Sequence, residues 1–195
     1  MFDFSDTVEN LQRRITTAAG WHPELDLPDV STEAVLERAG EWLPAYIGAG
    51  GTDGAAVTTT TGLKKLDLTA ILWGLLTYEQ QQAVERLVPS HIVVPTGSRI
   101  QLVYRQGAEV PVLRVRLQEC FGLLDTPRVD GGRRPVLMEL LSPGYKPVQL
   151  TSDLRSFWSG TYFEVRKELR RRYPKHAWPE DPLAAEPVRG VRQKR

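Results

Sequence analysis

Apolar residues recur at helical spacing through the first ninety positions. Ser5 or Asp6 can cap a first helix, and Val8, Leu11 and Ile15 carry its apolar stripe to about Ala19, where Gly20 closes it. Ser31 opens a second helix, with Val35, Leu36, Ala39, Trp42 and Leu43 on one side before Pro44. The glycine-rich tract Gly48–Gly54, followed by Thr58–Thr61, predicts a linker. It is not a phosphate-cradling loop, because Gly62 is followed by Leu63 and Lys64-Lys65 by Leu66, with no G-K-[ST] triplet. A third helix is expected over Leu63–Leu76, with Leu66, Ala70 and Trp73 in its stripe. Thr77 starts a fourth, and Gln80 three residues later matches a capping box. Ala83, Val84 and Leu87 form its buried side, and Pro89 stops it.

Beyond Pro89 the period changes to two. Ile100, Leu102 and Tyr104 alternate with Arg99, Gln101, Val103 and Arg105, which predicts a strand with one wetter face. Val112–Leu117 predicts a second strand, and Gln118–Leu123 a short helical turn. Asp130-Gly131-Gly132 marks a hairpin turn, and Val136–Leu141 and Val148–Leu150 are two further strands. A last amphipathic helix is expected over Ser152–Tyr173, capped by Thr151 or Ser152. Leu154, Phe157, Trp158, Thr161, Tyr162, Val165 and Leu169 share one sector, and Arg155, Arg166, Lys167, Arg170 and Arg171 the other. Pro174, Pro179, Pro182 and Pro187 keep the tail extended, and its end, Arg189–Arg195, is basic. The expected fold class is α+β: a mostly helical segment over residues 1–90, then an α+β domain over 91–195. In that domain a small antiparallel or mixed sheet is closed by the long C-terminal helix.

Charge divides the chain. Residues 1–100 hold 13 acidic against 7 basic side chains, and residues 101–195 hold 11 against 18, so a net charge of +1 conceals a basic second half. Only that half would attract an anionic partner. One cysteine, Cys120, excludes a disulfide framework, and three dispersed histidines give no metal-ligand spacing. No apolar run reaches membrane-spanning length, and the acidic start does not read as a secretory signal. These features lead to the expectation of a cytoplasmic protein without membrane contact.

No catalytic constellation emerges. Cys120 lies in an amphipathic stretch where a small buried hydrophobe is expected. His176, beside Trp178, offers an acid or base but is better explained by packing. Glu164 and Glu168 have Lys167, Arg171 and Arg172 at helix-pairing distance. The basic run is more informative. Arg166, Lys167, Arg170, Arg171 and, past the helix end, Lys175 could contact phosphates, or simply form a solvated face favoured near a helix C-terminus. On the opposite side from the apolar sector, the arginines and Lys167 are expected to be solvent-accessible. No DNA-reading motif or RNA-stacking signature accompanies them.

Several ordered segments carry a resemblance. Pro95-Thr96-Gly97-Ser98-Arg99-Ile100, Val115-Arg116-Leu117-Gln118-Glu119-Cys120-Phe121-Gly122, Leu140-Leu141-Ser142-Pro143, Thr151-Ser152-Asp153-Leu154 with Phe157-Trp158, and Arg172 through Pro182 together resemble the C-terminal region of HrpB-type bacterial ATP-dependent helicases of the DExH/DEAH class. Gly144 stands where that family often has alanine, and Lys146 where it often has arginine. The resemblance implies a parent whose motor domains bind ATP, magnesium and nucleic acid, RNA being the expected kind. This chain carries neither a G-K-[ST] triplet nor a D-E-x-H box, so no catalytic residue and no cofactor are expected in it. The implied role is a non-catalytic accessory domain that assists nucleic-acid engagement or domain organisation, with the motor domains as partners. The alternative is a protein-docking module without nucleic-acid contact.

Overall fold

The computed structural model describes residues 6–45 and 66–190, so the glycine-rich tract and the last basic residues lie outside the described part. The chain divides into two compact units, Met1–Val88 and Pro89–Arg195.

The first unit is helical. Helix α1 (Asp6–Trp21) buries Val8, Leu11, Ile15 and Ala18, the spacing that its sequence pattern dictates. Gly20 does not end it; the helix runs one residue further, to Trp21, just ahead of Pro23. Ser31 caps α2 (Thr32–Glu37) by accepting from the Ala34 amide, and a kink at Arg38 separates α2 from α3 (Ala39–Trp42). Trp42 is buried and donates its indole N–H to the Val35 carbonyl, while Leu36, expected in the stripe, is exposed. Helix α4 (Leu68–Gly74) begins on Asp67, whose carboxylate accepts from the Ala70 amide; the first residues of the helix expected from Leu63 lie outside the described part. Thr77 and Gln80 form the capping box of α5 (Tyr78–Leu87), each side chain accepting from the other's amide. Helix α1 packs on both α4 and α5. Arg14, in the α1 face turned to them, is buried, and it donates to the Val88 carbonyl (2.7 Å) and to Glu85 (2.8 Å).

The second unit is built on a five-stranded mixed sheet in the order β1 (His91–Val93), β2 (Arg99–Val103), β3 (Val112–Arg116), β6 (Leu137–Leu141), β7 (Pro147–Thr151). Neighbours are antiparallel except β3 and β6, which run parallel in the register Val112↔Leu137 to Arg116↔Leu141. A parallel pair needs a crossover. Here it contains the 3-10 turn Leu117–Cys120 and a separate hairpin, β4 (Arg128–Val129) with β5 (Arg134–Pro135), around Asp130-Gly131-Gly132. The paired Leu102, Leu113 and Met138 point to one buried face, together with Val115 and Leu140. The other face presents Arg99, Gln101, Arg114 and Arg116 to solvent or partly so.

The expected single closing helix is corrected. The segment forms two short helices, α6 (Leu154–Ser159) and α7 (Tyr162–Arg172), and the sheet stays open with β1 and β7 as its edges. Gly160 makes the break, with φ −131° and ψ −87°, outside helical geometry. An unbroken stripe of apolar residues concealed it, because Phe157, Trp158 and Tyr162 are buried on both sides of the kink. Their rings form a cluster: Trp158 stands 5.0 Å from Phe157, 5.3 Å from Tyr162 and 6.3 Å from Phe121, centroid to centroid.

Candidate functional site

Helix α7 and the segment after it form a groove of about 440 Å³ bordered by Arg166, Arg170, Lys175, His176, Trp178 and Glu180. Its far wall exists because the tail is anchored residue by residue. Tyr162 donates its hydroxyl to the Pro179 carbonyl (2.8 Å), Trp178 its indole N–H to the Tyr173 carbonyl (2.9 Å), and Gln118 its amide to the Ala177 carbonyl (3.0 Å). Further on, the Gly122 amide donates to Pro182 and the Val188 amide to Gln118. Arg189 reaches back to the Thr96 carbonyl. A proline-rich stretch with few donors of its own is thus fixed by its neighbours.

The five sequence-expected cations divide. Lys167, Arg170 and Arg171 are exposed, as the helical wheel implies, and so is Lys175 beyond the helix end. Arg166 is not: its side chain is only 19% exposed, and it donates to the Trp178 carbonyl (3.0 Å) and Glu180 (3.3 Å). It is a tie between α7 and the tail as much as a groove wall, because its partners lie twelve and fourteen residues away and no helical wheel places them. Arg170 and Lys175 both line the groove, whereas Lys167 and Arg171 are absent from its lining. His176, the sequence's acid/base candidate, donates from Nδ1 to the Gln118 side-chain oxygen (3.1 Å) and stands edge-on to Tyr173. Partial burial, then the positive charge of Arg116, hold its imidazole below the ordinary value.

Arg116 connects the groove to a second feature. It pairs with buried Glu119 (2.9 Å), which also accepts from Ser98 (2.7 Å) and Thr96 (3.0 Å). Burial alone would raise the Glu119 carboxyl; the bonds from Ser98, Arg116 and Thr96, with the Arg116 charge, outweigh it and hold the carboxyl below its ordinary range. The Arg116 guanidinium also lies over the ring of Tyr145, 5.2 Å from its centroid. Tyr145 is 64% exposed and sits at φ +59°, left-handed backbone that a bulky side chain rarely adopts. The turn holding it there is tightly tied to buried Ser142. The Ser142 amide donates to the Lys146 carbonyl, and the Ser142 carbonyl and hydroxyl accept from the Tyr145 and Lys146 amides. Sequence reasoning passed over Tyr145 as part of a strand connection. An aromatic residue between Gly144 and Lys146, flanked by Pro143 and Pro147, was the only signal available.

Cys120 is buried, and burial together with the Glu119 charge raises its thiol far above the reactive range, in keeping with the packing reading. Among the described residues no three His, Cys, Asp or Glu side chains gather as a metal site, and no helix is long and apolar enough to cross a membrane.

An open mixed sheet, two short helices and a tail pinned over the crossover make an α+β domain. The family described as ATP-dependent helicase C-terminal matches residues 52–182, and the chain belongs to that family. Among curated proteins it is 40% identical over 193 residues to the ATP-dependent RNA helicase HrpB of Escherichia coli (strain K12), a match that takes in 99% of this chain and 23% of that protein. Two crystal structures share its fold. One, of the E. coli DExH-box NTPase HrpB, has a TM-score of 0.85 at 41% identity, covering 96% of this chain and 22% of that one. The other, of the Escherichia coli DEAH/RHA helicase HrpB, has a TM-score of 0.72 at 41% identity, covering 91% and 21%. The chain therefore spans under a quarter of the length of the relatives that it matches.

Proposed function

We propose that this chain is the non-catalytic accessory region of a cytoplasmic ATP-dependent helicase and that its groove helps to hold the phosphate backbone of a nucleic acid, RNA being the expected kind. ATP and magnesium belong on this reading to motor domains elsewhere in the parent protein, which are also its partners. The observation that supports it is the presence of both Arg170 and Lys175 in the lining of a groove with an ordered wall. Neither cation has an ion-pair partner among the described residues, so each retains its full charge for a phosphate. Lys167 and Arg171 extend the cationic surface beyond the groove. Glu180 tempers the field on the Arg166 side and so directs a phosphate toward Arg170 and Lys175.

Fluorescence anisotropy of a labelled single-stranded RNA with this chain, titrated over a range of salt, tests the reading. Binding should be weak, tolerant of sequence and lost as salt rises. The double variant Arg170→Ala/Lys175→Ala should flatten the log–log salt slope by about 1.4, two single-strand phosphate contacts' worth. Its stability should stay within about 0.5 kcal/mol of the parent's, as exposed substitutions do. An unchanged slope and affinity would reject the phosphate role and leave the cluster as a protein-docking surface.

A further inference from the structure

The strained turn beside the groove is built to present an aromatic ring. Tyr145 is held at φ +59°, and the bonds through buried Ser142 show how the surrounding structure enforces that conformation. What the strain achieves is display. The ring projects with 64% of the residue exposed, and the Arg116 guanidinium lies over it. Arg116 is itself fixed by its pair with Glu119, so the cation is not free to swing away. Beyond that cation contact, a ring exposed in this way contributes little to packing.

The ring and the groove are neighbours. A Cβ on Gly144 would lie 2.8 Å from the Tyr173 hydroxyl, and that hydroxyl is 3.3 Å from Ser142. Tyr173 in turn meets the ring of His176, which borders the groove with Arg170 and Lys175. The turn that carries the Tyr145 ring is thus linked through Tyr173 and His176 to the groove that Arg170 and Lys175 border. Stacking of a base on such a face tolerates any sequence, because every base has a π-face, and a cation on the ring adds to it.

We propose that Tyr145 is a base-stacking platform for single-stranded nucleic acid: a strand whose phosphates lie on Arg170 and Lys175 places one unpaired base on the Tyr145 ring, with Arg116 as its cationic backing. The inference rests on the phosphate reading of the groove and adds to it the requirement that the ligand be unpaired at this point.

The test compares Tyr145→Ala and Tyr145→Phe with the unaltered chain, using labelled oligoadenylate, the same oligomer made abasic, and a fully paired duplex. Tyr145→Ala should bind oligoadenylate about 5- to 150-fold more weakly, the range expected for losing one stack, with an unchanged salt slope. Tyr145→Phe should bind as the unaltered chain does. The abasic oligomer should bind the unaltered chain as weakly as oligoadenylate binds Tyr145→Ala, a comparison that needs no variant to fold. Equal affinity for the normal and abasic oligomers, or a preference for duplex, would overturn the platform while leaving a salt-dependent phosphate groove in place. Absence of any salt-sensitive binding would remove both.

Discussion

The two units are held together by different means. The helical unit is organised by faces: α1, α4 and α5 meet through the apolar positions that their helical spacing predicts, and among its described residues Arg14 is the one buried cation. The α+β unit is organised by ties. Its turns and tail are secured by Gln118, Glu119, Asp130 and Ser142, all buried, and by side-chain bonds that reach over long sequence separations. The first unit has ties as well, from Gln12 to the Val30 carbonyl and from Gln80 to the Leu25 and Asp26 carbonyls, but they supplement a pattern of faces, whereas the second uses polar groups to fix irregular backbone. Irregular backbone is where a groove and a strained turn can be displayed, so the recognition surface proposed above falls in the second unit. The charge division follows the same line, with the basic excess in the part that carries the groove.

The largest effect should come from the aromatic cluster that anchors the second unit. Trp158 is buried against Phe121, Phe157 and Tyr162, and its indole N–H donates to the Leu123 carbonyl at 2.7 Å. Trp158→Ala should destabilise the protein by about 3–5 kcal/mol in denaturant titrations followed by circular dichroism. A loss under about 1 kcal/mol would mean that the ties alone hold this unit, and the contrast would be sharper still.

How legible each unit was follows from the same distinction. The Ser31 cap, the Thr77–Gln80 capping box, the Asp130-Gly131-Gly132 hairpin and the alternation in β2 and β3 are local, and the sequence predicts all of them. The parallel pairing of β3 with β6 depends on a distant partner and was not foreseen, and the edge strand β1, though it pairs with the β2 that follows it, is too short to show a period. The Gly160 break was hidden because aromatic packing on both sides keeps the apolar stripe continuous. Of the candidate site, the exposure of Lys167, Arg170 and Arg171 was readable from a helical wheel. The tie of Arg166 to Trp178 was not, since the acceptor is a carbonyl in the tail. Tyr145 was least visible: nothing in its neighbourhood signals positive φ at a tyrosine.

Adjacent arginines on α1 sharpen the comparison from the other side. Arg14 is buried and bonded to the Val88 carbonyl and Glu85, with its guanidinium 5.8 Å from the Trp73 ring. Arg13 makes an exposed pair with Glu9, one turn away. Arg14→Ala should lower stability by about 1–3 kcal/mol, because it strands a buried carbonyl. Arg13→Ala should cost no more than about 0.5 kcal/mol, the usual worth of such a helix pair. Equal effects in thermal melts would show that the helical unit relies on apolar faces alone.

Glu119 offers the most specific of these effects. It joins three elements of the second unit, accepting from Thr96 and Ser98 in the β1–β2 turn and from Arg116 at the end of β3. Because its folded-state carboxyl lies below the ordinary 4.5, the unfolded chain takes up the proton first as pH falls. The stability that it contributes is therefore complete above about pH 4.5 and is lost as pH drops through the lower, folded-state value. Glu119→Gln keeps the shape and one acceptor but removes the charge, and should cost about 1–2 kcal/mol at neutral pH, the scale of hydrogen bonds to a charged group. That gap should close as pH is lowered, because protonation makes the two side chains alike. Denaturation midpoints of both proteins measured from pH 7 downward decide it. A gap that persists at the lowest pH would assign the Glu119 contribution to shape and hydrogen bonding, not to charge. The second unit's ties would then differ from the faces of the first only in geometry.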